Sequence, residues 1–412
     1  MDTLYHLQVM IYNSLTQTWK SQKTTGDIPT KCSGAAATVI GDTMYVVAGF
    51  HKVVISAKYF RDGKLFGHEP DQFESDSDTE DDESGGDVNS VEISNKIWSL
   101  DLISWVWTRL SPAGDPPLRC DKTACWSDDD KVYIFGGFGP PPSNIQQKKQ
   151  GSLFQFCEDP SSSGIHEKYF IEKIFHLVLF DSGFSVFTRG WSNQLVCYNT
   201  SSNMWEWPLT SGVPPSPRAA HSVAVVGGVA YVFGGRHLDN RLNDLYSLNM
   251  TSLRWSLVIS DTSADNIPVG RSWQTMTSIN TGHQEGGLVI YGGFDTSMQA
   301  LGDCWRMDLH QQPNTWVRCH HLEQGPRLWH ASVDLDHSQI MIIGGLVNNI
   351  LAPSYVSKHH ADRVIFLRTA PASLLKLCLE YITKHKELFN KDVEDLPINL
   401  RRIVELRCSS GA

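Results

Sequence analysis

The chain has 412 residues, of which 41% are hydrophobic, and a formal net charge of −10. This apolar content is enough for a large core, and the length suits one long all-β repeat domain as well as two or three average domains. The charge is local, because residues 69–87 hold ten carboxylates and no Lys or Arg. The rest of the chain is nearly neutral and carries no basic stripe with interleaved aromatic residues, which argues against a nucleic-acid partner.

The N-terminal stretch predicts two strands and a turn, LQVMIYNSLTQTW at residues 7–19. The first ten residues lack the charged and apolar regions of a signal peptide. The nine cysteines form no C-x-x-C pair and no regular framework, which is typical of a reducing compartment. The most apolar run, residues 169–180, is too short and too charged to cross a bilayer. We therefore expect no membrane partner and a location in the cytoplasm, the nucleus or both.

The clearest repeat unit lies between Pro217 and Trp255. It contains four short strand-like runs joined by tight turns, which predicts one antiparallel sheet. One sheet cannot bury both of its faces, so the unit should recur. Gly-Gly pairs, with one Ala-Gly variant, follow apolar runs at Ala48-Gly49, Gly136-Gly137, Gly234-Gly235, Gly292-Gly293 and Gly344-Gly345. Asn or Asp turns followed by Trp recur at Asn13/Trp19, Asp101/Trp107, Asn199/Trp205, Asn249/Trp255 and Asp308/Trp316.

These glycine pairs predict positive φ angles and close packing between sheets, and the five Trp side chains predict core wedges between neighbouring sheets. The last three pairs are roughly fifty to sixty residues apart, and the pattern resembles that of kelch β-propellers. The resemblance implies an all-β, six-bladed kelch-type propeller over residues 1–368 whose first blade is incomplete. Either a late strand such as residues 363–368 completes the ring, or the chain is an N-terminally shortened form. We expect a ring with one defective blade.

Two insertions interrupt the repeat. Residues 50–95 are acidic and low in hydrophobic residues at their centre, which predicts disorder. Residues 138–189 begin as a polar, Pro-rich segment. They continue with an apolar stretch that predicts an extra hairpin or helix packed on the propeller.

The region after residue 368 changes period. Residues 370–385 fit a helical repeat, and residues 397–406 predict a second helix that begins at a proline. We expect a helical C-terminal tail over residues 369–412, outside the propeller.

No catalytic motif is present: the chain has no nucleophile elbow, zinc-protease helix, P-loop or dinucleotide fingerprint. Adjacent histidines such as His320-His321 point apart on a strand, so we expect no metal site and no cofactor. We therefore expect a protein that is not an enzyme.

Polar and aromatic residues converge on one rim of the predicted propeller. Arg236 and Arg241 lie on the loop between the second and third strands of one unit, whereas Ser272-Trp273 and Arg327-Leu328-Trp329 enter the first strands of later units. These loops share a face because strand direction alternates. Arginine forks suit a carboxylate ligand, and Trp walls would confine it to a small group. The alternative is that the arginines brace their own loop by pairing with Asp239 and Asp244.

These rim stretches, FGGRHLDNRLNDLYSLN, VGRSWQ, PRLWH and GGLVNNIL, resemble those of kelch-repeat substrate receptors of cullin-RING ubiquitin ligases. Such receptors bind protein C-termini, one of them favouring a terminal Gly-Gly. The resemblance implies that Arg236, Arg241 and Ser272 bind the terminal carboxylate. It further implies pocket walls at Trp191, Trp273 and Trp329, with Lys122 as a weaker match.

The predicted tail helices resemble the two ligase-binding boxes of the same receptors. Leu374, Cys378 and Ile382 recur at steps of four on one helix face and match the box that binds the elongin B–elongin C adaptor. A second pattern matches the box that selects cullin-2, at Leu396, Pro397, Leu400 and Val404. Two alternatives stay open: each helix packs on the propeller as an ordinary amphipathic helix, and the protein is a kelch scaffold for a folded or cytoskeletal partner.

Overall fold

The computed structural model describes residues 8–55, 60–61, 64–65, 88–163, 188–260, 266–279, 286–310, 313–335, 339–349, 359–371 and 374–409. These residues form a series of antiparallel sheets, and the longest helices lie at the C-terminal end.

We name the successive sheets blades A to E and the first strand pair the N-terminal hairpin. The hairpin consists of Val9–Asn13 and Thr18–Gln22. Blade A consists of Ala36–Ile40, Thr43–Val47, Ile97–Asp101 and Val106–Leu110, with Thr25–Gly26 parallel to the last strand. Blade B consists of Ala124–Asp128, Lys131–Phe135, Leu195–Asn199 and Met204–Glu206. Blade C consists of Ser222–Val226, Val229–Phe233, Leu245–Asn249 and Arg254–Ile259. Blade D consists of Thr275–Ile279, Gly287–Asp295, Ala300–Asp308 and Val317–Arg318. Blade E consists of Ala331–Leu335, Gln339–Ile343 and Ile365–Arg368.

A side-chain cap fixes the turn before the outer strand in the N-terminal hairpin and in blades A, B and C. Asp101 Oδ1 accepts hydrogen bonds from the backbone N–H groups of Ile103 and Ser104, at 2.9 and 2.6 Å. Asn13, Asn199 and Asn249 accept in the same way. A short side-chain acceptor directly before the turn, two and three residues ahead of the donors, explains why Asn or Asp recurs there.

Consecutive blades contact each other through their first strands. Side-chain hydrogen bonds join blade A to B, blade C to D and blade D to E: Thr38–Ser127 at 3.2 Å, Gln274–Ser222 at 3.1 Å and Thr277–Ser332 at 2.6 Å. The first strands are therefore the inner strands of a radial array.

The outer Trp of each blade packs against the preceding sheet, as the sequence predicts. Trp205 lies in a cluster with blade A residues, Trp255 with blade B residues and Trp316 with blade C residues. Trp107 packs beside Val9 of the hairpin. The prediction is wrong for Trp19, which is 42% exposed. The sheet that precedes Trp19 in the array is blade E. The described residues of blade E contain no fourth strand against which Trp19 could pack.

Four of the five glycine pairs pack against the next blade, as predicted. In four blades the N–H of the second residue donates to a carbonyl of the next blade. For example, the Gly235 N–H donates to the Arg271 carbonyl at 2.8 Å, and the Gly293 N–H donates to the Arg327 carbonyl at 2.7 Å. Gly292 has φ 62°, and a Cβ there would lie 2.4 Å from the Arg327 carbonyl oxygen. Only glycine combines this backbone angle with so close an approach.

The late strand does not complete the hairpin. Ile365–Arg368 pairs with Gln339–Ile343 as the third strand of blade E. The hairpin lies between the first and last blades, since Val9 packs into blade A and the ring of Tyr12 lies 6.1 Å from that of Phe366 in blade E.

The described parts of both insertions form small sheets of their own. Phe50–Ile55 pairs with Val88–Ile93, and Phe60–Arg61 with Lys64–Leu65. The acidic centre of the first insertion, residues 74–86, for which the sequence predicts disorder, lies outside the described residues. At the second insertion, a small sheet consists of Phe138–Gly139, Phe156–Glu158 and Gly190–Ser192. Helices Asn144–Gln150 and Pro160–Ser163 lie between these strands along the chain. The predicted apolar hairpin or helix also lies outside the described residues.

The tail contains helices Leu374–Lys384, Asn390–Glu394 and Ile398–Ser409, with a 3-10 turn at Lys386–Leu388. Its own small core is built on Leu379, Val393 and Val404. Polar contacts attach it to the propeller: Lys376 Nζ donates to Gln339 at 2.8 Å, and Arg407 donates to the Leu15 carbonyl.

Within the part of the chain that the structure describes, no helix combines the length and apolarity needed to cross a membrane. All nine cysteines are free thiols. The described residues contain no cluster of three potential metal ligands.

Candidate functional site

One rim of the array carries a belt of left-handed residues. The belt consists of Gly34, Lys122, Ala220, Trp273 and Trp329, whose φ angles lie between 55° and 68°. Each residue enters the first strand of its own blade. The backbone N–H of each donates to the carbonyl of the preceding one, at 2.9, 2.7, 2.8 and 2.9 Å in chain order. Bulky residues rarely adopt this backbone conformation, and such outliers cluster at functional sites.

The second element is the loop that follows Gly234-Gly235. Arg236–His237 pairs with Asn240–Arg241 as a short hairpin. The backbone of Arg236 exchanges two hydrogen bonds with Ala219, at 2.8 and 3.1 Å. The loop is therefore fixed beside the belt, and it presents both arginines on that rim.

Arg241 and Ser272 form the buried end of the site. Arg241 Nε donates to Ser272 Oγ at 3.0 Å. Arg241 is 8% exposed and Ser272 is fully buried. The Arg241 guanidinium lies over the ring of Phe294, 4.7 Å from its centroid. This cation–π contact stabilises the guanidinium and fixes its position.

The structure tests whether the arginines brace their own loop. Arg236 lies 4.0 Å from the carboxylate of Asp239, which is fully exposed, so this pair is weak. Asp244 instead holds Arg218, at 2.6 and 2.9 Å. No carboxylate of the described residues forms a salt bridge with Arg241. The bracing interpretation is therefore wrong for Arg241.

The electrostatics of Arg241 favour an anionic ligand. Burial lowers the pKa of its guanidinium, the neighbouring charge of Arg236 lowers it further, and Asp295 opposes both effects. A lowered pKa means that neighbouring groups do not fully offset the cost of burying the cation. A bound carboxylate would supply the missing stabilisation.

A pocket of about 60 Å³ lies between the two elements. We call it the clamp pocket; it is lined by Lys122, Phe138, Trp191, Ala219, Ala220, Arg236, Ser272 and Trp273. Trp191 packs against Phe138 at 5.0 Å between ring centroids, and Arg236 lies 5.5 Å from the Trp191 ring. The lining combines aromatic walls with convergent cationic and hydroxyl groups, as in sites that orient a small polar group.

Trp329 lies beside the clamp pocket rather than in its lining. It lines a channel of about 170 Å³ that shares Lys122, Ala220 and Trp273 with the pocket. The rings of Trp273 and Trp329 stack at 6.3 Å. Trp273 Nε1 is buried and has no hydrogen-bond partner among the described residues, so it can donate to a ligand.

Lys122 lies beside the carboxylate of Asp121, a residue that the sequence analysis missed. Asp121 is 2% exposed and lies 3.2 Å from Lys122 Nζ and 3.4 Å from Arg189. Both cations also lie over the Phe138 ring, at 5.6 and 4.6 Å. One carboxylate thus faces two cations at this edge of the pocket.

Phe138 and Phe294 are further site residues that the sequence analysis missed. Each directly follows a glycine pair, in the repeat position that Arg236 occupies in blade C. Aligning the repeat units on their glycine pairs would have found both.

The predicted adaptor-binding residues are mostly exposed. Leu374 is 77% exposed and Cys378 is exposed, whereas Ile382 is half-buried against the tail core. The predicted cullin-binding residues differ more widely. Pro397 is exposed, Leu396 and Leu400 are half-buried, and Val404 is fully buried within the tail.

The repeated four-stranded sheets, with glycine pairs after each second strand and a Trp wedge on each outer strand, define a kelch-repeat protein of the β-propeller type. The family described as the KLHDC2/KLHL20/DRC7 Kelch-repeats domain matches residues 175–347. The chain is 30% identical over 409 residues to Kelch domain-containing protein 2 of Bos taurus and of Homo sapiens, covering 98% of this chain and 82% of each relative. It is 29% identical over 389 residues to Kelch domain-containing protein 1 of Mus musculus, covering 93% of this chain and 77% of that relative. The chain belongs to the family of kelch domain-containing proteins 1 and 2.

Proposed function

We propose that this protein is a substrate receptor of a cullin-RING ubiquitin ligase and that the clamp pocket binds the C-terminus of the substrate protein. The observation that carries the proposal is the buried Arg241–Ser272 pair, which lacks a carboxylate partner among the described residues and adjoins Arg236. Arg236 and Arg241 would hold the terminal carboxylate, and Ser272 would add a hydrogen bond. Charge-assisted hydrogen bonds of this kind fix both position and charge.

The size of the clamp pocket favours small terminal residues. A volume of about 60 Å³ between Trp191 and Trp273 admits little beyond a carboxylate and backbone atoms. A C-terminus ending in Gly-Gly has no side chains, so the aromatic walls would select it by rejecting larger residues.

The tail supports attachment to a ligase. Its first helix exposes an apolar face that includes Leu374, Leu375, Cys378 and Tyr381, and its propeller contacts are polar. An exposed apolar helix face is the usual form of a groove-binding partner. We propose that this face binds elongin B–elongin C and that the second box selects cullin-2. Because Val404 is buried in the tail core, it would act there by shaping the helix pair rather than by direct contact.

The ring would have six positions. Five are blades A to E, and the N-terminal hairpin, which contacts both blade A and blade E, supplies the outer two strands of the sixth. The propeller would be non-catalytic, since it would hold a substrate while a partner enzyme transfers ubiquitin, in the cytoplasm, the nucleus or both.

A bridging assay tests both halves of this proposal together. A peptide ending in Gly-Gly is immobilised and mixed with purified elongin B–elongin C, with and without the chain. We expect adaptor retention that depends on the chain. If the chain binds the adaptor in solution but is not retained by the peptide, the clamp assignment is rejected. If the peptide retains the chain without the adaptor, the tail assignment is rejected. Failure of both would favour a kelch scaffold for another partner.

A further inference from the structure

Blade D carries two cysteines on neighbouring strands. Cys304 and Cys319 directly adjoin the paired residues Trp305 and Arg318, and the Cys319 N–H donates to the Cys304 carbonyl at 2.8 Å. A hydrogen-bonded antiparallel pair places its Cα atoms about 5.5 Å apart. Disulfides usually span about 4.4–6.8 Å between Cα atoms. This backbone arrangement therefore places the two Cα atoms within the range that a disulfide can span.

The two thiols have unequal environments. Cys304 is fully buried and Cys319 is 7% exposed, within a cluster that includes Ile340 and Leu367. Cys319 directly precedes the turn His320–Leu322, whose first histidine is exposed. A hydrogen bond from the Cys304 thiol lowers the pKa of Cys319 to about 7, whereas the same contact and burial raise the pKa of Cys304. Cys319 is thus the nucleophile of the pair, since the thiolate is the reactive form.

We propose that Cys304 and Cys319 are a modification site at which a hydroperoxide forms a reversible disulfide. The Cys319 thiolate attacks one oxygen of hydrogen peroxide; the O–O bond breaks, and hydroxide leaves and takes up the proton that the thiol released. The resulting sulfenic acid is attacked by the Cys304 sulfur. The S–O bond breaks, and water leaves with the Cys304 proton. Two thiols and one peroxide give one disulfide and two waters, and a dithiol reductant reverses the change.

The bond would strengthen a weak sector of the array. The outer strand of blade D, Val317–Arg318, has two residues, whereas that of blade C has six. The next sheet, blade E, has no fourth strand among the described residues. A cross-link between Cys304 and Cys319 would fix the outer strand of blade D to its neighbour and close a short loop. We expect the melting temperature to rise by a few degrees on oxidation.

The test uses the purified, reduced full chain. It is treated stepwise with hydrogen peroxide, alkylated, digested without reduction and mapped by mass spectrometry. We expect one linked peptide pair, Cys304 with Cys319, lighter by two hydrogen atoms and lost after dithiothreitol. Separate alkylation of both residues, or sulfinic acid at Cys319 with an intact Cys304 thiol, would overturn the proposal.

Variants give a second readout. In Cys304→Ala, Cys319 should stop at a sulfenic acid that dimedone traps, and the thermal shift should vanish. Cys157→Ala is the control, because Cys157 lies in the second insertion and should leave both the linked peptide and the shift unchanged. If Cys304→Ala fails to fold, the peptide map of the wild-type chain decides the matter.

Discussion

Arg241 donates its Nε–H to Ser272 Oγ at 3.0 Å, and both side chains are buried; Ser272 lines the clamp pocket, whereas Arg241 adjoins it through this contact. The terminal N–H groups of Arg241 make no hydrogen bond to another described residue. A guanidinium held by one edge, with its remaining donors free, is arranged for a planar anion. The same serine directly follows Arg271, whose guanidinium binds Asp303 at 2.7 and 2.8 Å. The clamp thus rests on a rigid ion pair.

Replacement of Arg241 tests the clamp directly. We expect Arg241→Ala to weaken binding of a Gly-Gly peptide by at least about tenfold, because it removes charge-assisted hydrogen bonds of roughly 1.5–3 kcal/mol. Fluorescence anisotropy of a labelled peptide measures the change. Arg254→Ala, an exposed arginine on the outer strand of blade C, is the control. Equal affinity of the Arg241 variant and the control would reject the site assignment.

The selectivity of the pocket depends on Trp273. We expect Trp273→Ala to reduce the preference for Gly-Gly over Gly-Leu ends by about tenfold, since it removes a wall that excludes side chains. Alanine is tolerated at this backbone angle, because Ala220 occupies the same belt position with φ 56°. Competition titrations with both peptides measure the ratio, and Trp98→Ala in blade A is the control. An unchanged preference would place the selectivity elsewhere.

The sequence was sufficient to predict the repeating sheet and much of the candidate site. Asn or Asp turns and glycine pairs are local signals, because short-range hydrogen bonds and positive φ angles require those residues. The convergence of Arg236 and Ser272 follows from strand alternation alone. The belt could not be predicted, because nothing in the sequence shows that Trp273 and Trp329 adopt left-handed angles.

Other features depended on packing across the array. Trp19 has the pattern of a core residue but lacks a partner strand among the described residues. Asp244 pairs with Arg218 rather than with Arg241, although Arg241 is closer along the chain. The choice of partner depends on which side chain the blade buries. Distances along the chain do not contain that information.

Attachment to the adaptor depends on the exposed face of the first tail helix. We expect Leu374→Asp to abolish co-purification of elongin B–elongin C while leaving the fold intact, because Leu374 is 77% exposed and has no core to disrupt. Ile103→Asp, at a residue of the propeller that is 73% exposed, is the matched control. Retention of the adaptor by the Leu374 variant would exclude the proposed box.

Acid should destabilise the propeller through His221. Burial and the charge of Arg218 lower the pKa of His221 to about 3, and a hydrogen bond involving Phe135 opposes them. The unfolded chain binds a proton near pH 6.5, but the folded chain does not. Stability therefore falls as the pH drops from about 6.5 towards 3, by up to about 1.4 kcal/mol per pH unit for this residue.

Thermal melts between pH 7.5 and pH 5 measure this effect; the first value is about one unit above the ordinary histidine pKa and the second about one and a half units below it. We expect His221→Gln to reduce the dependence but not to abolish it, because burial and the charge of Arg327 also lower the pKa of His330 to about 3; the exposed His321→Gln should leave it unchanged. A slope that is the same in all three proteins would show that His221 is not responsible.

Arg218 should be structural rather than ligand-binding. Its side chain is fully buried and binds Asp244 at 2.6 and 2.9 Å. We expect Arg218→Met to lower the free energy of unfolding by about 3–5 kcal/mol, since it leaves a carboxylate without its partner. Chemical denaturation measures the loss, with Arg254→Met as the control. Wild-type stability of the Arg218 variant would contradict this role.

The most direct test of the account compares two peptides that differ in one group. Isothermal titration of the purified chain uses a peptide ending in Gly-Gly with a free carboxylate and the same peptide amidated. If Arg236, Arg241 and Ser272 form a carboxylate clamp, the free acid binds and amidation weakens binding by at least about a hundredfold, since it removes the charge from two arginine contacts. Equal binding of the two peptides, or binding of neither, would contradict the central claim.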